Sequence, residues 1–66
     1  MDQQTESILW DAREVSRFTG LSRTTIWRLE ARGDFPARRQ VTDGRVAWVA
    51  DEVRTWARSL PEVGGR

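Results

Sequence analysis

The chain contains no cysteine, histidine, lysine or tyrosine. Without cysteine it can build neither a disulfide framework nor a thiolate metal site. Without histidine the usual metal sites and imidazole catalysis are excluded. Long apolar runs are also missing: none approaches the ~20 residues that a membrane-spanning helix needs. The N-terminus, M-D-Q-Q-T-E, is acidic and polar, so no secretory signal is read there. The expectation is a soluble, cytoplasmic domain with no cofactor and no membrane partner.

What is present is arginine. The 66 residues carry eleven cations, all arginine, against ten carboxylates, for a formal charge of +1. A sequence pI near 9.0 does not make the molecule basic. Between the carboxylates and the guanidiniums only the terminal amine titrates, with a pKa of about 8. The distribution is more informative than the total. Residues 1–12 carry −3, residues 13–39 carry +4, and residues 40–66 are neutral. Seven of the eleven arginines fall in the middle segment. A chain of this length forms one domain and buries only about 60% of the surface its unfolded form exposes.

Local signals punctuate the chain closely. In W-D-A-R-E-V, Asp11 and Glu14 have the spacing of a capping box, and Trp10 and Val15 that of a hydrophobic staple. A helix is predicted from Ala12 to about Thr19, ended by Gly20. The grammar then repeats. Ser22 is an N-cap, Leu21 and Ile26 form a second staple, and a helix is predicted from Arg23 to about Arg32, with Gly33 as its cap. Ile26 and Leu29 mark its buried side. Only Gly20, Leu21 and Ser22 separate the two helices, which is helix-turn-helix spacing.

Phe35-Pro36 closes the helical region. Asp43-Gly44, between β-branched and aromatic residues, predicts a two-residue hairpin turn. In that register Thr42 faces Arg45, Val41 faces Val46, Arg39 faces Trp48 and Arg38 faces Val49. Val41, Val46, Trp48 and the stem of Arg39 would share one face, and Arg38, Gln40, Ala47 and Val49 the other. Which face is covered stays open. A last helix is predicted from about Asp51 to Leu60, with Val53, Trp56, Ala57 and Leu60 as its apolar stripe and Pro61 as its stop. Residues 1–9 and 61–66 are expected to be flexible, leaving 10–60 as the domain.

The order helix, turn, helix, two-stranded wing, helix is that of a small winged helix-turn-helix, mainly α with one β-hairpin. In such folds the second helix enters the DNA major groove with its N-terminal residues at the base edges. Here those are Ser22, Arg23, Thr24 and Thr25, followed by Trp27 and Arg28. Arginine can pair bidentately with guanine, and threonine can hydrogen-bond a base or touch a thymine methyl. On the wing Arg38, Arg39 and Arg45 flank a narrow ribbon that could lie along a phosphate backbone or reach a minor groove. Neutralising about five phosphates would give a log K against log salt slope of roughly −4.5.

The stretch R-E-V-S-R-F-T-G-L-S-R-T-T-I-W-R-L-E-A-R-G-D-F-P resembles the AlpA-type phage regulators, within the broader excisionase and MerR-like winged-helix group. The later R-V-A-W-V-A-D-E-V-R-T-W is similar to that family's closing segment. The resemblance covers about residues 10–60. It implies a DNA-binding protein of a phage or mobile element, acting in a bacterial host as an excisionase or a small transcriptional regulator. It places Ser22, Arg23, Thr24, Trp27 and Arg28 on the recognition helix and Arg38, Arg39 and Arg45 on the wing. Trp27 stands where the family commonly has tyrosine.

Other readings remain open at this level. Trp10, Trp48 and Trp56 suit a core; Trp27 either faces DNA or packs. Arg39 either contacts DNA or lies over Trp48. Arg54 and Arg58 suit a solvated face, and Arg32 either a helix C-terminus or a ligand contact. The chain could instead be an interaction module for an integrase, a toxin or RNA polymerase, and copies could associate on DNA. Asp11 and Glu14 read as capping groups, and no nucleophile–base pair or phosphate loop is present, so an enzyme is not expected.

Overall fold

A computed structural model describes residues 7–64. Its elements in chain order are β1 (Leu9–Trp10), α1 (Ala12–Thr19), α2 (Arg23–Ala31), β2 (Arg39–Thr42), β3 (Arg45–Val49) and α3 (Ala50–Arg58). The strands form one antiparallel sheet in the order β1-β3-β2. The expectations for residues 1–6, 65 and 66 lie outside the described residues.

Both caps of the helix pair form as the spacing predicts. The Asp11 carboxylate accepts the Glu14 N–H at 2.9 Å, and Glu14 accepts the Asp11 N–H at 2.9 Å. The staple residues Trp10 and Val15 are both buried. Gly20 ends α1 at φ 81°, in the left-handed region that glycine enters without steric cost. Side chains then pin the turn. Thr19 Oγ1 donates to the Val15 carbonyl and accepts the Leu21 N–H, while Ser16 Oγ donates to the Leu21 carbonyl at 2.6 Å. A Schellman motif closes α2: the Gly33 N–H reaches the Glu30 carbonyl and the Asp34 N–H the Leu29 carbonyl.

The core joins β1, β3 and the three helices. Trp10, Val15, Ile26, Phe35, Trp48, Ala50 and Val53 form one buried cluster, with Leu21, Leu29 and Trp56 packed against it. The Phe35 ring sits 4.6 Å from Trp56 and 6.5 Å from Trp48. Each of those tryptophans donates its indole N–H to a carbonyl of the same loop, Trp48 to Pro36 at 3.0 Å and Trp56 to Asp34 at 2.7 Å. The loop after α2 is therefore nailed to the core, and it sets where the wing begins.

Three expectations need correction. The hairpin keeps Thr42 opposite Arg45, but a bulge at Val41 shifts the register above it, so that Gln40 pairs with Val46 and Arg39 with Ala47. An extra residue in one strand moves every following side chain to the other face. The Gln40 amide spans the bulge by donating to the Thr42 carbonyl. Burial runs along β3 rather than by face: Arg45 and Val46 at the tip are exposed, while Ala47 and Trp48 at the base are buried.

The second correction is the strand before α1. Leu9 pairs with Val49 and Trp10 with Trp48, and the Ala50 N–H reaches the Ile8 carbonyl. The third is α3, which follows β3 directly, starts at Ala50 and ends at Arg58. Its buried face is therefore Ala50 and Val53, with Trp56 half-buried; Ala57 and Leu60 are exposed.

Candidate nucleic-acid interface

The buried side of α2 is narrow, as Ile26 and Leu29 imply. Arg23, Thr24, Trp27, Arg28 and Ala31 are all exposed. At 100° per residue, Thr24, Trp27, Arg28 and Ala31 fall on one outward stripe (i, i+3, i+4, i+7). Ser22 is committed locally. Its hydroxyl accepts the Thr25 N–H at 3.1 Å and donates to Thr25 Oγ1 at 2.9 Å. Ser22 and Thr25 thus shape the helix N-terminus, whose free N–H groups favour an anion.

The three wing arginines differ in their surroundings. Arg45, beside the turn, is exposed and forms no ion pair among the described residues. Arg38 is tied to the recognition helix. Glu30 accepts both its backbone N–H at 2.8 Å and its guanidinium at 2.9 Å. Arg39 pairs with Glu52 of α3 at 2.6 Å. It does not lie over Trp48, because the bulge places it opposite Ala47. Arg54 takes the cation–π position instead, 5.0 Å from the Trp10 ring, so it is not merely a solvated charge.

The fold therefore sorts the sequence-derived candidates. Arg23, Thr24, Trp27 and Arg28 are exposed together on α2 with no ion pair among the described residues, and Arg45 stands apart on the wing. Arg38 and Arg39 flank the wing base with their charges already matched. Glu30 was not anticipated. It lies eight residues before Arg38, beyond any helical or hairpin spacing, and only the fold brings them together. Between α2 and the wing runs an open groove lined by Trp27, Ala31, Val46 and the Glu30–Arg38 pair.

Among the described residues no group of three or more acidic side chains is placed to hold a metal ion, and no helix is long and apolar enough to cross a membrane. A helix pair with a tight glycine turn, an exposed basic second helix and a hairpin beside it define a winged helix-turn-helix. Within that class the chain belongs to the AlpA phage regulatory family. The family described as "Prophage CP4-57 regulatory protein (AlpA)" matches residues 9–60. The family's description is that of a regulatory protein. The chain is also similar to "Uncharacterized protein ORF88" of Enterobacteria phage P4, 42% identical over 43 residues. That match covers 65% of this chain and 49% of the relative, so the chain spans about half of that protein's length.

Proposed function

We propose that the chain is a sequence-specific duplex DNA-binding protein of a phage or mobile element, working in the cytoplasm of a bacterial host. In this reading α2 enters the major groove. Arg23, Thr24, Trp27 and Arg28 face the base edges, and Ser22 and Thr25 bring the helix N-terminus to a phosphate. The wing lies along the adjacent backbone through Arg45. Arg38 and Arg39 at its base still offer guanidinium N–H groups to phosphates, with side chains 46% and 57% exposed.

The observation that carries this is the outward face of α2, where Arg23 and Arg28 have no carboxylate partner among the described residues. Cations left unmatched on a helix of a nearly neutral molecule suit a polyanion. One such domain spans few base pairs, so copies bind neighbouring sites cooperatively.

At its locus the protein acts either as an excisionase, with an integrase as partner, or as a transcriptional regulator, with RNA polymerase as partner. Footprinting on the native locus separates the two. Protection of tandem sites at an attachment site supports excision; protection at a promoter alone supports regulation. DNA recognition itself is tested by gel shift with Arg23→Ala and Arg28→Ala. Each variant is expected to lose about 1–3 kcal/mol of discrimination for its base. Parent-like binding by both would turn the assignment towards an interaction module that holds a protein partner.

A further inference from the structure

We propose that Trp27 is a thymine-reading residue, making an apolar contact to the 5-methyl group in the major groove. The inference rests on the major-groove reading above. Trp27 is 50% exposed on the outward stripe of α2. Thr24 and Ala31 lie on either side of it along that stripe, and Val46 of the wing lines the same groove. Arg23 and Arg28 flank it without carboxylate partners among the described residues. The stripe thus sets the indole ring and the methyl groups of Thr24 and Ala31 beside the cationic Arg28.

In a major groove the exposed indole ring face and these methyl groups favour an apolar counterpart. Among the groups that base edges present in the major groove, the only apolar one is the thymine methyl. A phosphate would use the polar edge of the indole. On this face a phosphate has the guanidiniums of Arg23 and Arg28 to bind, which form no ion pair among the described residues, and this leaves the indole ring to an apolar group. The other three tryptophans are buried or half-buried in the core cluster and its border, so Trp27 alone is available for this role among the described residues.

The test starts from duplexes selected out of a random pool by the parent protein. Each thymine of the selected site is then replaced by uracil, which keeps the base pair and removes only the methyl. The parent is expected to lose about fourfold in affinity at one or two positions, equivalent to ~0.8 kcal/mol for one buried carbon. Trp27→Ala, with an unchanged melting profile, should bind less tightly and be indifferent to uracil there. Trp27→Leu should keep part of the sensitivity. A selected site without thymine, a flat uracil scan for the parent, or an undiminished uracil effect in Trp27→Ala overturns the assignment while leaving DNA binding intact. Failure to select any preferred duplex overturns the DNA-reading proposal itself, and the Trp27 role with it.

Discussion

Ser22 has two possible jobs, and a pair of substitutions separates them. As a cap its hydroxyl satisfies the Thr25 N–H. Ser22→Ala should then cost about 1 kcal/mol of stability, and Ser22→Gly only a few tenths. If both variants bind DNA like the parent once folded, Ser22 acts through the helix terminus alone; a titration at low temperature, beside a thermal melt, checks this. Gly20 offers a cleaner case. A Cβ there would meet nothing within 4 Å, so Gly20→Ala carries only the penalty of φ +81°. That penalty is about 1–2 kcal/mol, read directly as a lowered melting temperature. These residues were legible in the sequence because caps and turns depend on neighbours three or four positions away. The Glu30–Arg38 pair and the Arg54 cation–π contact were not, because they join residues that only the finished fold brings together.

Elements were legible to the extent that their signals are local and long. Both helices of the helix-turn-helix start where their N-caps place them. A two-residue strand has no periodicity to read, so β1 could be found only through its pairing with β3. The bulge was hidden for a related reason: a two-residue turn fixes the register next to it, and nothing in R-R-Q-V-T announces an extra residue. The consequence for the wing is concrete. Its base is held by Glu30 and by the Phe35 loop, while its tip carries Arg45. Removing the Phe35 ring takes the packing partner from both Trp48 and Trp56. Phe35→Ala should cost roughly 3–5 kcal/mol, a large part of the stability of a domain this small, and far-UV circular dichroism should show a largely unfolded chain. Arg45→Ala should leave the fold intact and lower affinity for all duplexes alike, as loss of a phosphate contact does.

At the scale of the whole molecule, the charge total misleads in both directions. A net +1 understates the DNA-facing side, and the count of candidate arginines overstates it. Arg38 and Arg39 are matched by Glu30 and Glu52, so a phosphate that approaches them meets a neutral pair and releases few counterions. Arg23, Arg28 and Arg45 remain as cations of the proposed interface with no ion pair among the described residues. Three neutralised phosphates give a log K against log salt slope of about −2.7, shallower than the roughly −4.5 that five would give. Glu52→Gln turns this into a sharper test. It removes one carboxylate of α3, outside the proposed base-reading helix, and leaves Arg39 uncompensated. The slope should steepen by about 0.9, and affinity for non-specific duplex should rise while the preferred sequence stays the same. A fluorescence-anisotropy titration across salt concentrations measures both. If the parent already shows the steeper slope and Glu52→Gln does not change it, the wing arginines exchange their carboxylates for phosphates on binding. The ion pairs would then belong to the free protein alone.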